Sequence, residues 1–380
     1  MSKKKRLFIH GIRGIPACHG GFESFTEKLA PYLVDRDWDV TVYCQELGKG
    51  KWYSDEWNGV KLIHVPVSRD GAFGSIIFDW LTIKDALKKQ GMNLTLGYNT
   101  AIFSILFRLK GKINLFNMDG VEWKRQKWSL LSRVWFFINE CLGSWLGNHL
   151  IADHPEISKH LQSRVSEKKI TVIPYCSDRI NDADERILEK FNLKKYGFCL
   201  LVARPEPENS IFEIVKAYSS EPRANPLVVL GNFDPKSNAY HKKVMDIASD
   251  DVQFVGAIYD EAIVNAFRFF TRLYIHGHQV GGTNPSLVET LGAGSPVLAH
   301  DNRFNRWVAG QKAEFFKDED ECKAVIKRVD TDDAYIEKMR SNSYQRHGQE
   351  FLFNDVLSSY DELLTYWHEK SEEEVVQFSE

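Results

Sequence analysis

The sequence predicts an α/β fold of two Rossmann-like, doubly wound domains, and three observations predict it. Short runs rich in Val, Ile, Leu and aromatic residues alternate with amphipathic stretches of helical period. The alternation restarts at residues 197–209, after a polar stretch. A length of 380 residues suits about two domains at roughly 100–200 residues each.

Residues 6–10 (RLFIH) read as a buried strand, followed by the Gly-rich turn 11–21. A helix comes next, with Phe22, Phe25, Leu29 and Leu33 on one face. Strands are expected at 39–44 and 60–67, a helix from Ile76 to about Lys89, and strand-to-loop units at 94–100 and 113–120. Two more strands are expected at 149–154 and 170–176. In the second half, strand 197–209 ends in a polar loop and a helix covers 210–220. Strands at 226–232 and 252–258, a helix at 261–270 and a strand at 272–277 come after it. A Gly-rich loop then leads to a helix at 285–294 and a strand at 295–301. Polar residues 178–196 are the expected linker. A last amphipathic helix, about Asn354 to Lys370, carries Phe353, Tyr360, Tyr366 and Trp367 and is expected to return to the first domain. The expected boundaries are 1–178, 179–350 and a C-terminal helix and tail at 351–380.

Apolar residues at 43% and charged residues at 27% exclude wholesale disorder, collagen and coiled coil. Cys18, Cys44, Cys141, Cys176, Cys199 and Cys322 are scattered, which argues against a structural zinc and for a reducing compartment. The opening MSKKKRLFIHG reads as a first strand rather than a signal peptide, and no run of 18 apolar residues occurs. A cytoplasmic protein is expected. Charge is uneven: residues 1–180 hold 26 Lys+Arg against 18 Asp+Glu, and residues 181–380 hold 23 against 34. The basic half either faces something anionic, such as a membrane or a polyphosphate, or is basic by chance scatter over solvated faces. No nucleic-acid motif accompanies it.

Ligands of open α/β sheets bind at the carboxyl ends of the strands, and four loops stand out there. In 11–23, closely spaced glycines before a helix suit an anion, although the spacing is neither G-x-G-x-x-G nor a P-loop. In 117–128 (NMDGVEWKRQKW), Asp119 at a strand end can take a hydrogen bond or proton from a hydroxyl, or simply cap a helix beginning at Gly120. In 201–209 (LVARPEPEN), Arg204 suits a phosphate, or a surface salt bridge to Glu206 or Glu208. In 276–289 (HGHQVGGTNPSLVE), a Gly-rich loop runs into a helix starting at Pro285–Ser286, with Glu289 one turn in, suited to sugar or ribose hydroxyls. His276 and His278 lack a third metal ligand.

These loops, with I151-A-D153, I173-P-Y175 and A299-H-D-N302, together resemble GT-B glycosyltransferases of family 4, and more closely a bacterial rhamnosyltransferase branch of polysaccharide assembly. The resemblance spans most of residues 6–310. It implies two Rossmann-like domains facing a central cleft. It implies transfer of a sugar, often L-rhamnose from dTDP-rhamnose, to a saccharide on a lipid pyrophosphate, with no metal and no cofactor besides the nucleotide-sugar substrate. Gly20 and Gly21 match the Gly-Gly loop beside the donor phosphate, and Arg204 the residue that grips the diphosphate. Glu208 and Asn209 lie in the same donor loop. Asn284, Pro285, Ser286 and Leu287 match a turn presenting N–H groups to the donor, and Glu289 matches the ribose-binding second Glu of a Glu-x7-Glu motif. Asp119, Asp153 and Tyr175 match polar positions placed in the cleft. Two positions depart from the pattern: Gly281 stands where the first Glu belongs, and Asn209 where a Lys is usual.

The resemblance further implies retention of anomeric configuration. With no unambiguous nucleophile, a front-face displacement is expected, the leaving phosphate taking the acceptor proton, with Asp119 as direct base the competing assignment. Residues 101–110 and 128–146 are apolar and aromatic, flanked by Arg108, Lys110, Lys112, Lys124, Arg125, Lys127 and Arg133. They read equally as a patch docking on anionic lipid at the inner face of the plasma membrane and as core helices. Alternatives are a transferase using a UDP- or GDP-sugar, an epimerase or phosphorylase on the same fold, and a non-catalytic nucleotide-sugar binding protein.

Overall fold

The computed structural model describes residues 5–16, 20–125 and 128–377, the last four of these without their side chains. The chain forms two compact units, Met1–Pro174 with Asn354–Glu380, and Tyr175–Phe353.

The first unit is built on eight strands: β1 (Lys5–His10), β2 (Trp38–Leu47), β3 (Tyr53–Trp57), β4 (Val60–Val67), β5 (Met92–Leu96), β6 (Asn114–Asn117), β7 (His149–Ala152) and β8 (Ile170–Val172). Their order is β3-β4-β2-β1-β5-β6-β7-β8, parallel throughout except for the β3–β4 hairpin. Strands β5, β6 and β7 are buried at every position, their polar members Asn93, Thr95, Asn114, Asn117 and His149 included. Strand β3 (YSDEW) escapes a reading by pattern because it is an exposed edge with no apolar alternation. The Asn58–Gly59 turn beside it, both residues at positive φ, is the hairpin signal that marks it. The strand order reverses at β1, so the loop after β1 lies at a switch point where ligands bind in such sheets.

The helix Phe353–Gln377 packs on this unit, as expected for a returning C-terminal helix. Trp38 Nε1 donates to Asp361 at 2.8 Å, and Asn117 Nδ2 donates to the Tyr360 hydroxyl at 2.7 Å. Tyr360 and Leu364 are buried, and the Tyr360 ring lies 4.9 Å from Phe25.

The second unit holds six parallel strands: β9 (Cys199–Val202), β10 (Leu227–Leu230), β11 (Val252–Gly256), β12 (Leu273–His276), β13 (Val297–His300) and β14 (Glu314–Phe316), in the order β11-β10-β9-β12-β13-β14. Its switch point lies between β9 and β12. The three-residue edge strand β14 is too short to show a pattern. Residues 178–196 are not a linker. Leu188 and Leu193 are buried in this unit's core, and the Ile180 amide donates to the Gly292 carbonyl at 3.0 Å. The unit begins at Tyr175 because the Ser177 amide pairs with the Phe351 carbonyl at 3.1 Å and Phe351 is itself core. Cys44, Cys141, Cys176, Cys199 and Cys322 are free thiols; Cys18 lies outside the described residues.

Candidate functional site

In the first unit, the candidate groups sit on turns that close β1 and β6. Gly11 (φ +84) and Gly14 (φ +128) bring the first turn against neighbouring strands, where a Cβ would meet the Leu96 carbonyl and the Cys44 side chain. Gly20 precedes the helix Gly21–Val34, whose start carries no side-chain cap. Glu23 instead turns back and accepts the Arg13 amide at 3.1 Å. Among the described residues the amides of Gly21, Phe22 and Glu23 find no partner at the head of this 14-residue helix, since the first helical bond runs from the Ser24 amide to the Gly20 carbonyl. Ala17 and His19 of this loop lie outside the described residues.

Asp119 follows β6 with φ +50, an uncommon left-handed conformation that Asp tolerates better than most residues. The turn is held on three sides. Asn117 accepts the Asp119 amide at 3.1 Å through Oδ1 while its Nδ2 donates to Tyr360. Asp119 Oδ1 accepts the Gly120 amide at 2.7 Å. Tyr98, buried at the end of β5, donates to the Gly120 carbonyl and accepts the Glu122 amide, both at 2.9 Å. Burial raises the Tyr98 phenol well above its ordinary value, so it stays a neutral strut. No helix begins at Gly120; a single 3₁₀ turn covers Glu122–Lys124. Asp153 is half-buried just beyond β7. Tyr98, Asn117 and Tyr360 are not among the site residues expected from sequence, where Tyr360 figures only as an aromatic of the last helix. An aromatic or amide at a strand end signals nothing until its partners are known.

In the second unit, the loops after β9, β12 and β13 are stitched together. Asn209 is buried and donates its amide to the Arg204 carbonyl at 2.8 Å, closing the β9 loop on itself. The Ser210 hydroxyl donates to the Gly277 carbonyl at 2.8 Å; Gln279 donates to that hydroxyl at 2.9 Å, and its amide to the Glu208 carbonyl at 2.9 Å. Asn302 and Asn305 both donate to the His278 carbonyl, at 2.9 and 2.8 Å. Asn209 therefore acts here as scaffold.

On this frame the Arg204 side chain is exposed and has no ion-pair or hydrogen-bond partner among the described residues; the salt bridge to Glu206 or Glu208 does not form. Asn284 caps the helix Pro285–Gly292, its Oδ1 accepting the Ser286 amide at 3.0 Å. The Leu287 amide pairs with the Asn284 carbonyl at 3.1 Å, so the Ser286 and Leu287 amides expected to face a donor are paired internally. The Ser286 hydroxyl shares a 2.7 Å bond with Tyr274. Glu289 sits between two partners: Tyr175 donates to one oxygen at 3.1 Å, and Arg268, itself buried, approaches the other at 2.5 Å. Burial, reinforced by the Glu289 charge, raises the Tyr175 phenol far above its usual value, keeping it a donor. Gly281 has φ +128, a conformation that L side chains rarely adopt, which disfavours a Glu there.

His276 and His278 stack with ring centroids 4.4 Å apart, and burial pushes the His276 pKa well below its ordinary value. Among the described residues, no group of three or more His, Cys, Asp or Glu side chains is arranged to hold a metal ion.

Residues 4–178 match the family described as a domain of unknown function, DUF1972. The whole chain is similar in structure to a sucrose-phosphate synthase from Thermosynechococcus elongatus, with a TM-score of 0.80, 16% identity, and 96% of this chain and 100% of that one covered. It is similar to Anabaena HepE in complex with UDP and glucose, with a TM-score of 0.74, 13% identity and coverage of 95% and 99%. It is also similar to a trehalose 6-phosphate synthase from Burkholderia multivorans, with a TM-score of 0.73, 9% identity and coverage of 98% and 98%. The fold is GT-B. A comparison with curated protein sequences finds no match. Within this GT-B chain, the Arg204 loop, the Gly-rich loop 277–284 and the helix bearing Glu289 all lie at the carboxyl ends of β9 and β12, beside the switch point of the second sheet.

Proposed function

We propose that this protein is a retaining, metal-independent glycosyltransferase of family 4 that moves a sugar from a nucleotide diphosphate to a saccharide acceptor. The observation that carries this reading is Arg204: a guanidinium with no partner among the described residues, on a loop that Asn209, Ser210 and Gln279 hold in place. Such a group is free to pair bidentately with a diphosphate and to neutralise charge that grows as the sugar leaves. Glu289, oriented by Tyr175 and Arg268, keeps lone pairs for ribose hydroxyls. Glu208 stands in the same loop as Arg204, and Asn284, Pro285, Ser286 and Leu287 open the helix that carries Glu289. Gly20 and Gly21, at the head of an uncapped helix, offer amides to the donor phosphates. Asp119 and Asp153 orient acceptor or donor hydroxyls, and the leaving phosphate takes the acceptor proton.

L-rhamnose from dTDP-rhamnose is the proposed donor pair and a lipid-pyrophosphate-linked saccharide the proposed acceptor, in cell-surface polysaccharide synthesis; both rest on the resemblance of the four loops. A lipid-linked acceptor would hold the enzyme peripherally at an anionic membrane, on its cytoplasmic side. Thermal unfolding with dTDP, UDP, GDP and their sugars, with and without metal, tests the donor. A ligand at 100 times its Kd stabilises by about 2.7 kcal/mol. Stabilisation by dTDP and dTDP-rhamnose alone is the expected result. Stabilisation by UDP or GDP instead would replace the donor and keep the chemistry, and no stabilisation by any of them would sink the reading.

A further inference from the structure

The helix Leu130–Leu146 is inside out. Its buried side carries Asn139, Glu140, Gly143 and Ser144. Its outer side carries Leu130 and Leu131, 76% and 81% exposed, with Val134, Phe137, Ile138 and Trp145 between 44% and 56% exposed. At about 100° per residue these six side chains fall on one face about 120° wide. The inner polar groups are all satisfied. Asn139 accepts the Ile102 amide at 3.0 Å. Glu140 takes Trp123 Nε1 at 2.9 Å, His160 at 2.8 Å and Arg164 at 2.7 Å. A water-exposed helix puts its apolar side inward; this one has built a polar network to do the reverse.

The apolar face continues onto neighbouring elements of the same unit. The helix packs against the 3₁₀ turn Ala101–Ser104, which the helix Gly71–Ala86 also touches. Ile102, Ile105, Leu109, Phe73, Ile77 and Trp80 are exposed there, with Trp80 and Phe103 rings 5.2 Å apart. So contiguous an exposed apolar surface marks a partner.

We infer that this surface docks on an anionic lipid bilayer. Charge decides among partners. Residues 101–146 hold seven Lys/Arg and three Asp/Glu. Arg108, Lys110 and Lys124 are exposed; Lys127 lies outside the described residues. The acids are turned from use: Glu140 is buried in its network, Glu122 is held by Arg125 and Trp128, each at 2.9 Å, and Asp119 closes the β6 turn. A second copy would set this positive rim against itself. A leaflet of anionic headgroups over hydrocarbon matches the basic rim and the apolar centre, with Trp145 suited to the interfacial layer. Among the described residues no helix is long and apolar enough to cross a membrane, so docking is in-plane. The inference deepens the proposed function by naming the surface that meets a lipid-linked acceptor, and it rests on that reading only there.

Co-sedimentation of the full chain with vesicles tests it, using phosphatidylcholine alone and phosphatidylcholine mixed with phosphatidylglycerol. The protein is expected on the mixed vesicles only. Leu131→Glu combined with Val134→Glu abolishes binding, and Arg108→Glu combined with Lys110→Glu raises the lipid needed for half-binding about 30-fold or more, at about a tenfold factor per 1.4 kcal/mol. Both changes are at exposed positions and leave the thermal midpoint unchanged. Absence of binding to mixed vesicles overturns the inference. So does a concentration-dependent dimer, lost in the Leu131→Glu chain, in place of vesicle binding. Stabilisation by nucleotide sugars, measured on the same samples, separates the two proposals. If it persists without vesicle binding, docking alone fails; if it is absent with vesicle binding, the transferase reading alone fails.

Discussion

The turn after β6 in the first unit and the loops after β9 and β12 in the second solve the same problem differently. Each must hold a charged side chain at a strand end. The β6 turn is braced from far along the chain: Tyr360, 243 residues away, reaches Asn117, which in turn positions the Asp119 amide. The second unit braces its loops through side-chain amide and hydroxyl bonds to backbone carbonyls, within the β9 loop and from loop to loop. The first arrangement makes Asp119 dependent on the docking of the C-terminal helix. The second leaves Arg204 on a frame drawn from the loops after β9 and β12 of its own unit, with no part for the C-terminal helix. A local frame tolerates loss of its charged residue, whereas a remote brace couples the site to stability.

That contrast breaks most visibly at Arg204. Arg204→Ala is expected to lower sugar transfer by about 100-fold or more, the scale of losing one charge-stabilising donor, with the thermal midpoint unchanged. Near-normal turnover in the folded variant would remove Arg204 from the mechanism. Asp119→Asn comes next, with about a 100-fold loss in rate and little change in stability, because Asn tolerates the φ of +50. A loss of fold instead would show that the carboxylate is only a structural cap. Tyr360→Phe sharpens the comparison. It leaves the buried Asn117 amide unsatisfied, costing about 1–3 kcal/mol in chemical denaturation, and it slows transfer as well. A stability loss with unaltered kinetics would show that the brace does not reach Asp119. Tyr175→Phe removes one hydrogen bond from Glu289, worth about 1 kcal/mol, and should raise the donor KM several-fold at constant kcat.

The smallest effect is on pH. Burial lowers His10 and His149 in the first unit and His347 in the second to about 4. Unfolded histidine titrates near 6.5, so between about 6.5 and 4 the unfolded chain takes up protons that the folded chain refuses. Stability is full above that window and falls as pH drops through it. Asp79, raised to about 6 by burial, works in the opposite direction, losing stability as pH rises toward 6. The lowered histidines, His276 among them, outnumber the one raised carboxylate, which predicts a thermal midpoint lower at pH 5 than at pH 7, and a shallower fall in His347→Gln. An equal midpoint at both pH values would show that these imidazoles open to water before the chain unfolds.

Much of the fold is legible because buried parallel strands favour β-branched and aliphatic residues, and short runs of these stand out at β1, β2, β4, β9, β10, β12 and β13. The exposed β3 and the brief β14 carry no such run. The segment 178–196 is polar on average, yet two leucines, Leu188 and Leu193, tie it into a core, which composition does not register. At the candidate site, the residue types and their strand-end positions are readable for Asp119, Arg204 and Glu289. Their partners are not: Tyr360 for Asn117, Arg268 and Tyr175 for Glu289, and Asn209 for the Arg204 carbonyl stand at spacings that no motif records.

By itself, then, the sequence determined two α/β sheets and the glycine and charged residues at their strand ends, because each of these follows from periodicity and local backbone sterics, while the strand orders and so the switch points came from the structure. Tertiary structure alone decided which charges stay unpaired and which way the helix Leu130–Leu146 faces. An amphipathic pattern has two sides, and only the polar network built around Glu140 settles which of them is turned to solvent.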